Sequence, residues 1–399
     1  MRRVGATLAA LAALSVLGAV NFLRPVDAVA ATPLLPSLQR VAGRPPDIPW
    51  PPGAAAVGVG GLGVIASHGD NSPQPLASVA KVMTALVLVA DHPLTPIQEG
   101  DRVTVTTDDV ANYEREKAAG ESVVPVEAGE VLNLRQLLEG TLIPSANNFA
   151  DIIARWDAGS IDAFVGRMNG RALQLGMAKT HFADASGFSE RTVGTPADLI
   201  RAGEAVLNVP VLAQIVGEAQ VSLPVAGVVF NVDYALGRSG IVGIKTGSAP
   251  RAGACFLFAA QTKVYGGAYM IIGMVMGEPT LDDAFQASLR IIAAVAPGLV
   301  VAPLVSAAEA VAEYRAPWGA RAGLVAQRDL GLVAWPGQIV HRRVSAPAAQ
   351  PPLAEGEAAG TLQAWIGTGP VHSVPLATDG PLFEPGGLWR LTRPFGDYR

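Results

Sequence analysis

Cysteine, histidine and lysine are all scarce in this chain of 399 residues. The single cysteine, Cys255, excludes an intramolecular disulfide and a metal site built on cysteines. The five histidines are scattered and form neither an H-E-x-x-H motif nor a cluster with cysteine, so the sequence predicts no metal centre. A net charge of -5 is too small and of the wrong sign for a nucleic-acid-binding protein. We therefore expect no metal, no other cofactor and no nucleic-acid partner.

The scarcity of lysine is informative because positive charge comes almost entirely from arginine. The only lysines are Lys81, Lys117, Lys179, Lys245 and Lys263. A lysine can lose its proton in a buried site, whereas an arginine cannot. Each lysine is therefore a candidate for chemistry that needs a neutral amine.

Residues 1–30 form a targeting segment. Arg2 and Arg3 precede an apolar run over residues 4–23, and residues 28–30 (Ala-Val-Ala) fit a cleavage site. The segment is either a cleaved signal peptide or an uncleaved membrane anchor, since about 20 apolar residues are just enough to span a bilayer. Both alternatives place the remaining chain outside the cytoplasm, in the cell envelope.

Composition divides the remaining chain into three parts. Residues 31–53 carry seven prolines and predict an extended linker. Residues 54–300 begin with a β-hairpin, continue through amphipathic helices and return to short β-type runs, which predicts an α/β (α+β) domain with an antiparallel sheet faced by helices. Residues 301–399 alternate short β-type runs with glycine, proline and aspartate, which predicts a small all-β domain. Its C-terminal tail is predicted to end a β-strand.

The predicted elements of the larger domain follow from apolar periodicity. The predicted helices cover residues 78–90, 133–143, 147–156, 160–175, 196–207 and 283–296. The predicted strands cover residues 54–59, 62–67, 221–223, 228–232, 241–244, 255–260 and 269–276.

The first motif with chemical meaning is Ser78-Val79-Ala80-Lys81, at the start of an apolar helix. Residues at i and i+3 share a helix face, about 5–6 Å apart at Cβ, so the hydroxyl and the amine can meet. A neutral lysine can take the serine proton once burial or a second cation has lowered its pKa from about 10.4 to near 7. In isolation the motif also fits a serine cap followed by an ordinary helix lysine.

The second motif, Ser145-Ala146-Asn147, lies in a predicted loop between two helices. Loops between helices are common places for site residues. A second serine can relay a proton, and an asparagine can hold a substrate amide. Alone, the motif also fits a turn that caps the next helix.

The third motif, Lys245-Thr246-Gly247-Ser248, ends the strand predicted over residues 241–244. Lys245 would be the second cation near Lys81. Thr246 and Ser248 offer hydroxyls to a carboxylate, and Gly247 would let a substrate backbone lie against the strand edge. Alone, the motif also fits a polar strand end with a turn glycine.

The order S-x-x-K, S-x-N, K-T-G is the signature set of penicillin-binding proteins and serine β-lactamases. Over residues 54–300 the chain further resembles the low-molecular-weight penicillin-binding D-alanyl-D-alanine carboxypeptidases. The segments that carry this resemblance are PLASVAKVMTALVL, GTLIPSANNFADIIARW, GRALQLGMAKTHFADASGF and KTGSAPRAGACFLFAA. The resemblance implies a β-lactamase/transpeptidase-like fold, peptidoglycan stem peptides as substrate and β-lactams as inhibitors.

The resemblance also implies a role for each motif residue. Ser78 would be acylated by the penultimate D-alanine, with Lys81 as general base. Ser145 and Lys245 would support proton transfer and binding, and Asn147 would position the substrate. The backbone N–H groups of Ser78 and Ser248 would form the oxyanion hole.

The chain departs from the family pattern at two places. Many relatives have Ser-Gly-Asn-Asp where this chain has alanine at 146 and Asn148. Many relatives also carry an arginine after the K-T-G strand that holds the substrate carboxylate, and the alignment places Met270 there. Arg251 is the candidate that would bind the carboxylate instead.

Three alternatives stay open. A class A type β-lactamase needs a glutamate in an E-x-x-L-N motif, and Glu204 begins such a match. The match lies late in the interval between Ser145 and Lys245, at the end of a predicted helix, where Asn208 fits a C-cap. A peptidoglycan endopeptidase or transpeptidase would use the same acyl-enzyme. A cell-wall scaffold protein with a degenerate site is the non-enzyme alternative.

Overall fold

The computed structural model describes residues 2–393, without the side chains of residues 2–7 and Ala10. These residues form two compact units. One comprises Pro45–Leu299, and the other comprises residues 2–44 together with residues 300–393.

The helices are numbered in chain order. They are α1 Arg2–Leu23, α2 Lys81–Asp91, α3 Thr107–Ala118, α4 Leu134–Leu142, α5 Asn147–Ala158, α6 Ile161–Gln174, α7 Pro196–Leu207, α8 Pro210–Val216, α9 Leu281–Val295 and α10 Gly387–Thr392. Short 3-10 turns cover Ala77–Ala80, Arg238–Gly240 and Ala296–Gly298.

The strands are numbered in the same way. They are β1 Ala31–Pro33, β2 Leu38–Arg40, β3 Ala54–Val59, β4 Gly63–His68, β5 Gln74–Pro75, β6 Arg102–Thr104, β7 Val131–Asn133, β8 Val193–Gly194, β9 Gln220–Leu223, β10 Gly227–Phe230, β11 Ile241–Ala249, β12 Gly253–Val264, β13 Gly267–Glu278, β14 Val300–Val305, β15 Ala310–Arg315, β16 Arg321–Ala326, β17 Leu330–Ala334, β18 Ile339–Ser345, β19 Ala358–Ile366 and β20 His372–Thr378.

The larger unit is built on a five-stranded antiparallel sheet with the strand order β11-β12-β13-β3-β4. Residues 254–260 of β12 are buried without interruption, which requires cover on both faces of the strand. Helices α7 and α9 pack against the sheet. The predicted fold class, an antiparallel sheet faced by helices, is confirmed.

The apolar helix α2 lies at the centre of the helical layer. It contacts α4, α5, α6 and α7, and its residues from Lys81 to Val89 are buried. A helix that is apolar on all sides is stable only when it is enclosed by protein. Lys81 is therefore carried into the core by the helix that follows Ser78.

Helix α3 was not predicted because its sequence, TDDVANYEREKA, has no continuous apolar stripe. A capping box fixes its start: the Thr106 hydroxyl accepts from the Asp109 N–H, and the Asp109 carboxylate accepts from the Thr106 N–H. The Arg155 guanidinium on α5 then binds the Asp109 carboxylate through two nitrogens, at 2.7 and 2.8 Å. Polar contacts thus dock this helix together with the apolar packing of Tyr113 and Val110.

The smaller unit contains a seven-stranded sheet with the order β1-β15-β16-β20-β19-β18-β2. The linker predicted over residues 31–53 is wrong in its first part, because β1 and β2 form the two edges of this sheet. Proline is tolerated on an edge strand, where its missing N–H breaks no ladder, and Pro33 ends β1 there. The prolines therefore indicated edge strands as well as an extended chain.

The C-terminal tail was predicted as a β-strand end, and this is wrong for its described part. Residues Gly387–Thr392 form α10, which packs against α1. Within α1, the Asn21 side-chain amide donates to the carbonyls of Leu391 and Arg393. The remainder of the predicted tail, residues 394–399, lies outside the described residues.

Across the described residues, no single helix combines the length and the apolar composition of a membrane span. Helices α7 and α8 meet both conditions only when they are taken together, and they are bent by 109°. The predicted signal peptide or anchor falls partly on Met1 and on the side chains of residues 2–7, which lie outside the described part.

Gly140 in α4 gives a stability prediction, because a Cβ there would lie 2.2 Å from Phe149 Cδ1. We expect Gly140→Ala to lower the free energy of unfolding by about 1–3 kcal/mol through overpacking. Gly170→Ala in α6 is the matched control, since a Cβ there meets nothing within 4 Å. Its better helix propensity should raise stability by about 0.5–1 kcal/mol. Urea unfolding of both variants measures the difference, and equal midpoints would contradict the packing account.

Candidate active site

A cleft of about 490 Å³ opens in the larger unit, and five chain segments that are distant in sequence line it. Ser78 lies on one side, in the 3-10 turn that precedes α2. Asn147, at the start of α5, and Ser248, near the end of β11, line the same cleft. The three sequence motifs therefore each place a residue in one cleft.

Ser78 and Lys81 are joined by a hydrogen bond of 2.8 Å between Lys81 Nζ and Ser78 Oγ. Ser78 lies in the 3-10 turn and Lys81 is the first residue of α2. Ala77, just before the serine, adopts a positive φ of 46°, which bends the chain into this turn. The contact thus arises from local backbone geometry over four residues.

Lys81 is completely buried, and three oxygens surround its amine. Besides Ser78 Oγ, these are Asn147 Oδ1 at 2.5 Å and the Ser186 carbonyl oxygen at 2.9 Å. Burial lowers the pKa of Lys81 to about 7, against the opposing effect of Asp184 and other nearby carboxylates. Close to neutral pH, the Lys81 amine is therefore present in both its protonated and its neutral form.

Ser145 precedes α5 in a left-handed conformation, with φ 69°. This is uncommon for a residue other than glycine and costs on the order of 1–3 kcal/mol. The Ala146 N–H donates to the Gly140 carbonyl, and the Asn147 N–H donates to the Ser122 carbonyl. Surrounding hydrogen bonds therefore hold the loop of the second motif in a conformation that it would not adopt alone.

The K-T-G strand packs directly against the Ser78 turn. A Cβ on Gly247 would lie 3.0 Å from the Ser78 nitrogen and 3.0 Å from the Leu76 carbonyl oxygen. This close approach requires glycine at position 247. The sequence suggested a second reason, that glycine lets a substrate backbone lie against the strand edge.

Lys245 and Thr246 are buried beneath the cleft. Burial, and next the charge of Lys81, hold the pKa of Lys245 well below its usual value. Asp233 opposes this shift, and burial raises the pKa of its carboxyl to about 6. The two motif lysines are thus close enough for the charge of Lys81 to disfavour a charge on Lys245.

Arg251 lines the cleft from the turn between β11 and β12, and it forms an exposed ion pair with Glu190 at 3.3 Å. The alignment that placed Met270 at the carboxylate-binding position is wrong. Ser248 is opposite Ala254, and Ala254 is opposite Glu278, whereas Met270 is opposite Gln261 near the far end of β12. A side chain at position 270 therefore does not reach the end of the K-T-G strand.

Several site residues were missed by the sequence analysis. Glu121 lines the cleft and accepts a hydrogen bond from Asn147 Nδ2. Asp184 organises the loop that carries the Ser186 carbonyl, accepting from Ser186 Oγ and the Ser189 N–H. The resemblance in the segment ADASGF marked this loop but gave no role for its backbone, because a carbonyl oxygen leaves no trace in the sequence.

Glu204, the candidate deacylating glutamate of a β-lactamase, lies on α7 rather than among the cleft-lining residues. Asn208 is the C-cap of that helix, as predicted, and its N–H donates to the Glu204 carbonyl. The structure therefore gives Glu204 no position from which to activate a water beside Ser78.

The sequence model of the D-alanyl-D-alanine carboxypeptidase family matches residues 60–280, more than half of the chain. The matched region contains the cleft and all three motifs.

Individual relatives carry related names. The chain is 33% identical over 148 residues to a D-alanyl-D-alanine endopeptidase of Haemophilus influenzae, which is 36% of this chain and 46% of that protein. It is 32% identical over 221 residues to a D-alanyl-D-alanine carboxypeptidase of Mycobacterium tuberculosis, 54% of this chain and 70% of that one. It is 28% identical over 239 residues to one of Escherichia coli, 57% of this chain and 56% of that one. The matches thus span between about half and two thirds of these relatives.

Solved structures share the fold. The D-alanyl-D-alanine carboxypeptidase of Francisella tularensis superposes with a TM-score of 0.62 at 17% identity, covering 87% of this chain and 97% of that one. Penicillin binding protein 5 of Haemophilus influenzae superposes with a TM-score of 0.62 at 20% identity, covering 86% of this chain and all of that one. At these identities the likeness establishes the fold.

Proposed function

Because the chain belongs to the D-alanyl-D-alanine carboxypeptidase family, we propose that it removes the terminal D-alanine from peptidoglycan stem pentapeptides through an acyl-enzyme on Ser78. The observation that carries this proposal is the buried Lys81 amine, 2.8 Å from Ser78 Oγ and with a pKa lowered to about 7. A serine hydroxyl becomes an effective nucleophile when an adjacent base takes its proton. In this proposal that base is Lys81, and no histidine lies among the described residues that line the cleft.

In the acylation step, Ser78 Oγ attacks the carbonyl carbon of the penultimate D-alanine while its proton passes to Lys81. The N–H groups of Ser78 and Ser248 stabilise the resulting oxyanion, and each such donor is worth about 2.7–4 kcal/mol in the transition state. The peptide C–N bond then breaks, and the nitrogen of the terminal D-alanine takes the proton from Lys81, with Ser145 as the relay. Water attacks the ester in the second half-reaction and its proton passes to Lys81. The ester C–O bond then breaks, and Lys81 returns the proton to Ser78 Oγ, which releases the shortened peptide and restores the starting state.

The remaining motif residues hold the substrate in this proposal. Lys245 is buried behind the cleft, where the charge of Lys81 contributes to lowering its pKa. The hydroxyls of Thr246 and Ser248 and the exposed Arg251 guanidinium offer donors to the terminal carboxylate. Arg251 would exchange its ion pair with Glu190 for this carboxylate, which costs little because the pair is exposed.

The proposed activity is extracytoplasmic, because peptidoglycan lies outside the cytoplasmic membrane. The N-terminal segment serves export in this proposal, either as a signal peptide or as an anchor to the cell membrane. The same acyl-enzyme accounts for inhibition by β-lactams, which would acylate Ser78.

The pH dependence of acylation follows from the Lys81 amine, whose pKa is about 7. Only the neutral amine can accept the Ser78 proton, so the rate constant of acylation should rise as pH increases through about 7 and level off above it. Stopped-flow measurement with a chromogenic β-lactam gives the profile under single-turnover conditions. A profile that is flat between about pH 5.5 and about pH 8.5 would contradict the assignment of Lys81 as base.

A pentapeptide that ends in D-alanyl-D-alanine tests the proposed reaction directly. The enzyme should release D-alanine from it and should leave the matched peptide with a C-terminal L-alanine intact. A cross-linked muropeptide dimer, supplied in parallel, tests the endopeptidase alternative that the name of the Haemophilus influenzae relative favours. Cleavage of the dimer without release of D-alanine from the pentapeptide would overturn the carboxypeptidase proposal in favour of that alternative.

A further inference from the structure

The three partners of the Lys81 amine differ in what they can do when the amine is neutral. A protonated lysine donates three hydrogen bonds, and Ser78 Oγ, Asn147 Oδ1 and the Ser186 carbonyl receive them. A neutral lysine keeps two N–H groups and one lone pair. A carbonyl oxygen can only accept, whereas the serine hydroxyl can also donate. The two N–H groups therefore remain with Asn147 and Ser186, and the lone pair is left for the Ser78 proton.

This division holds only while the Asn147 amide presents its oxygen to Lys81. A rotation of about 180° would exchange the amide oxygen and nitrogen, which occupy nearly the same space. The nitrogen would then offer an N–H to the lone pair of the neutral amine and compete with the Ser78 hydroxyl. The protonated amine resists this rotation, but the neutral amine, which is the catalytic form, does not.

The far side of the Asn147 amide contacts Glu121, whose Oε2 accepts a hydrogen bond from Asn147 Nδ2. An ionised carboxylate can only accept, so the rotated amide would set two acceptor oxygens face to face. We propose that Glu121 is a positioning residue that locks the Asn147 amide and thereby reserves the lone pair of Lys81 for the Ser78 proton. This inference rests on the proposed function, because it assigns a role within the same proton transfer.

Glu121 is itself fixed by the backbone around it. Helix α3 ends in a Schellman motif, in which the Gly120 N–H donates to the Lys117 carbonyl and the Glu121 N–H donates to the Glu116 carbonyl. Gly120 supplies the positive φ of 76° that this motif requires. The helix end therefore fixes the backbone at Glu121, and the side chain extends from this position to Asn147.

Asn148 fastens the next part of the same loop to α5. Its Oδ1 accepts from the Val124 N–H, and its Nδ2 donates to the Val124 carbonyl. The Asn147 N–H also donates to the Ser122 carbonyl. The departure from the family pattern at position 148 thus acquires a structural role, since the side chain holds the loop that carries Glu121 against the residue that Glu121 orients.

The charge of Glu121 has a separate effect, which the test must isolate. Glu121, with Asp184, Asp151 and Glu116, raises the pKa of Lys81, while burial lowers it. Lys245 is the other titratable group coupled to this amine, since the charge of Lys81 lowers its pKa. Loss of the Glu121 charge alone would move the midpoint of the pH profile to lower pH and leave the rate plateau unchanged. Loss of the hydrogen bond that holds the Asn147 amide would lower the rate plateau at high pH, where Lys81 is neutral.

The test measures the rate constant of acylation by a fluorescent penicillin from about pH 5.5 to about pH 9 for three variants. We expect Glu121→Ala to lower the acylation rate constant at the high-pH plateau about tenfold, because one charge-assisted hydrogen bond is lost. Glu121→Gln should lose less, because its amide oxygen can still accept from Asn147 in one of its two orientations. Both variants should shift the midpoint to lower pH.

The third variant, Glu121→Gln combined with Asn147→Asp, is a rescue. The aspartate at 147 can only accept from Lys81, and the glutamine at 121 can donate to it, so the lone pair again faces Ser78. We expect the plateau to recover from the level of Glu121→Ala toward that of the wild type. The midpoint should move to higher pH, because the carboxylate now lies beside the amine.

Glu127→Ala is the matched control, since Glu127 is an exposed glutamate of the same loop. Its profile should equal that of the wild type. Unchanged plateaus in Glu121→Ala and Glu121→Gln, or a combined variant no faster than Glu121→Ala, would overturn the inference. A wild-type protein that is not acylated at all would instead contradict the proposed function. If Glu121→Ala does not fold, Glu121→Gln and the combined variant still decide the question.

Discussion

Replacement of Ser78 by alanine should reduce the rate of D-alanine release by a factor on the order of 10⁴ or more. The side chain that Lys81 activates is then missing, and no acyl-enzyme can form. The structure should be unaffected, because the hydroxyl borders the cleft and contributes one hydrogen bond, to Lys81. The measurement is a coupled D-amino-acid oxidase assay on the pentapeptide.

Ser72→Ala is the matched control for this experiment, since Ser72 is an exposed serine on the segment that leads into the same turn. It should retain the wild-type rate. Activity of Ser78→Ala within tenfold of the wild type would show that another group is the nucleophile, and the three-motif account of the site would then fail.

Lys81→Met should have the second largest effect, a loss on the order of 10²–10⁴-fold in the rate of acylation. Methionine fills a similar volume but cannot accept the Ser78 proton. Methionine removes the desolvation cost of the buried amine, but it also leaves the Asn147 amide oxygen and the Ser186 carbonyl without their donor, so the two effects oppose each other and the melting temperature should change little. The expected result is thus a folded protein that is almost inactive, which separates a catalytic lysine from a structural one.

Lys263→Met provides the control, because Lys263 is an exposed lysine near the end of β12, outside the residues that line the cleft. Its activity should be unchanged. If Lys81→Met were acylated at the wild-type rate, or if its low activity came with a large fall in melting temperature, the proposed role of the amine as base would be contradicted.

Contacts between residues close in sequence could be predicted, whereas contacts between distant segments could not. Ser78 and Lys81 are three residues apart, and helical spacing alone predicts that their side chains can meet. The contact between Lys81 and Asn147 spans 66 residues, and only the resemblance to a family brought the two together. Glu121 was missed because its role depends on the end of α3, a helix whose polar sequence lacks the periodicity that predicts a helix.

The two errors of placement have a common physical cause. The pairing of β1 with β15 joins segments nearly three hundred residues apart, and no local pattern specifies such a partner. Met270 was misplaced because an alignment by strand type does not fix the register. A strand is positioned by its turns and bulges, and β12 and β13 pair with a register shift between Ala254 and Phe256. The strand type of β13 could be predicted from the sequence, whereas its register and the existence and pairing of β1 and β2 required the structure.

The central claim is that Ser78 is the nucleophile of an acyl-enzyme, and intact-mass analysis with peptide mapping tests it most directly. After incubation with a slowly hydrolysed penicillin, the account predicts one covalent adduct per chain, located on Ser78. The adduct should form more slowly on Lys81→Met and should be absent from Ser78→Ala. An adduct on Ser145 or on any other residue, or D-alanine release by a protein that forms no adduct, would contradict the account.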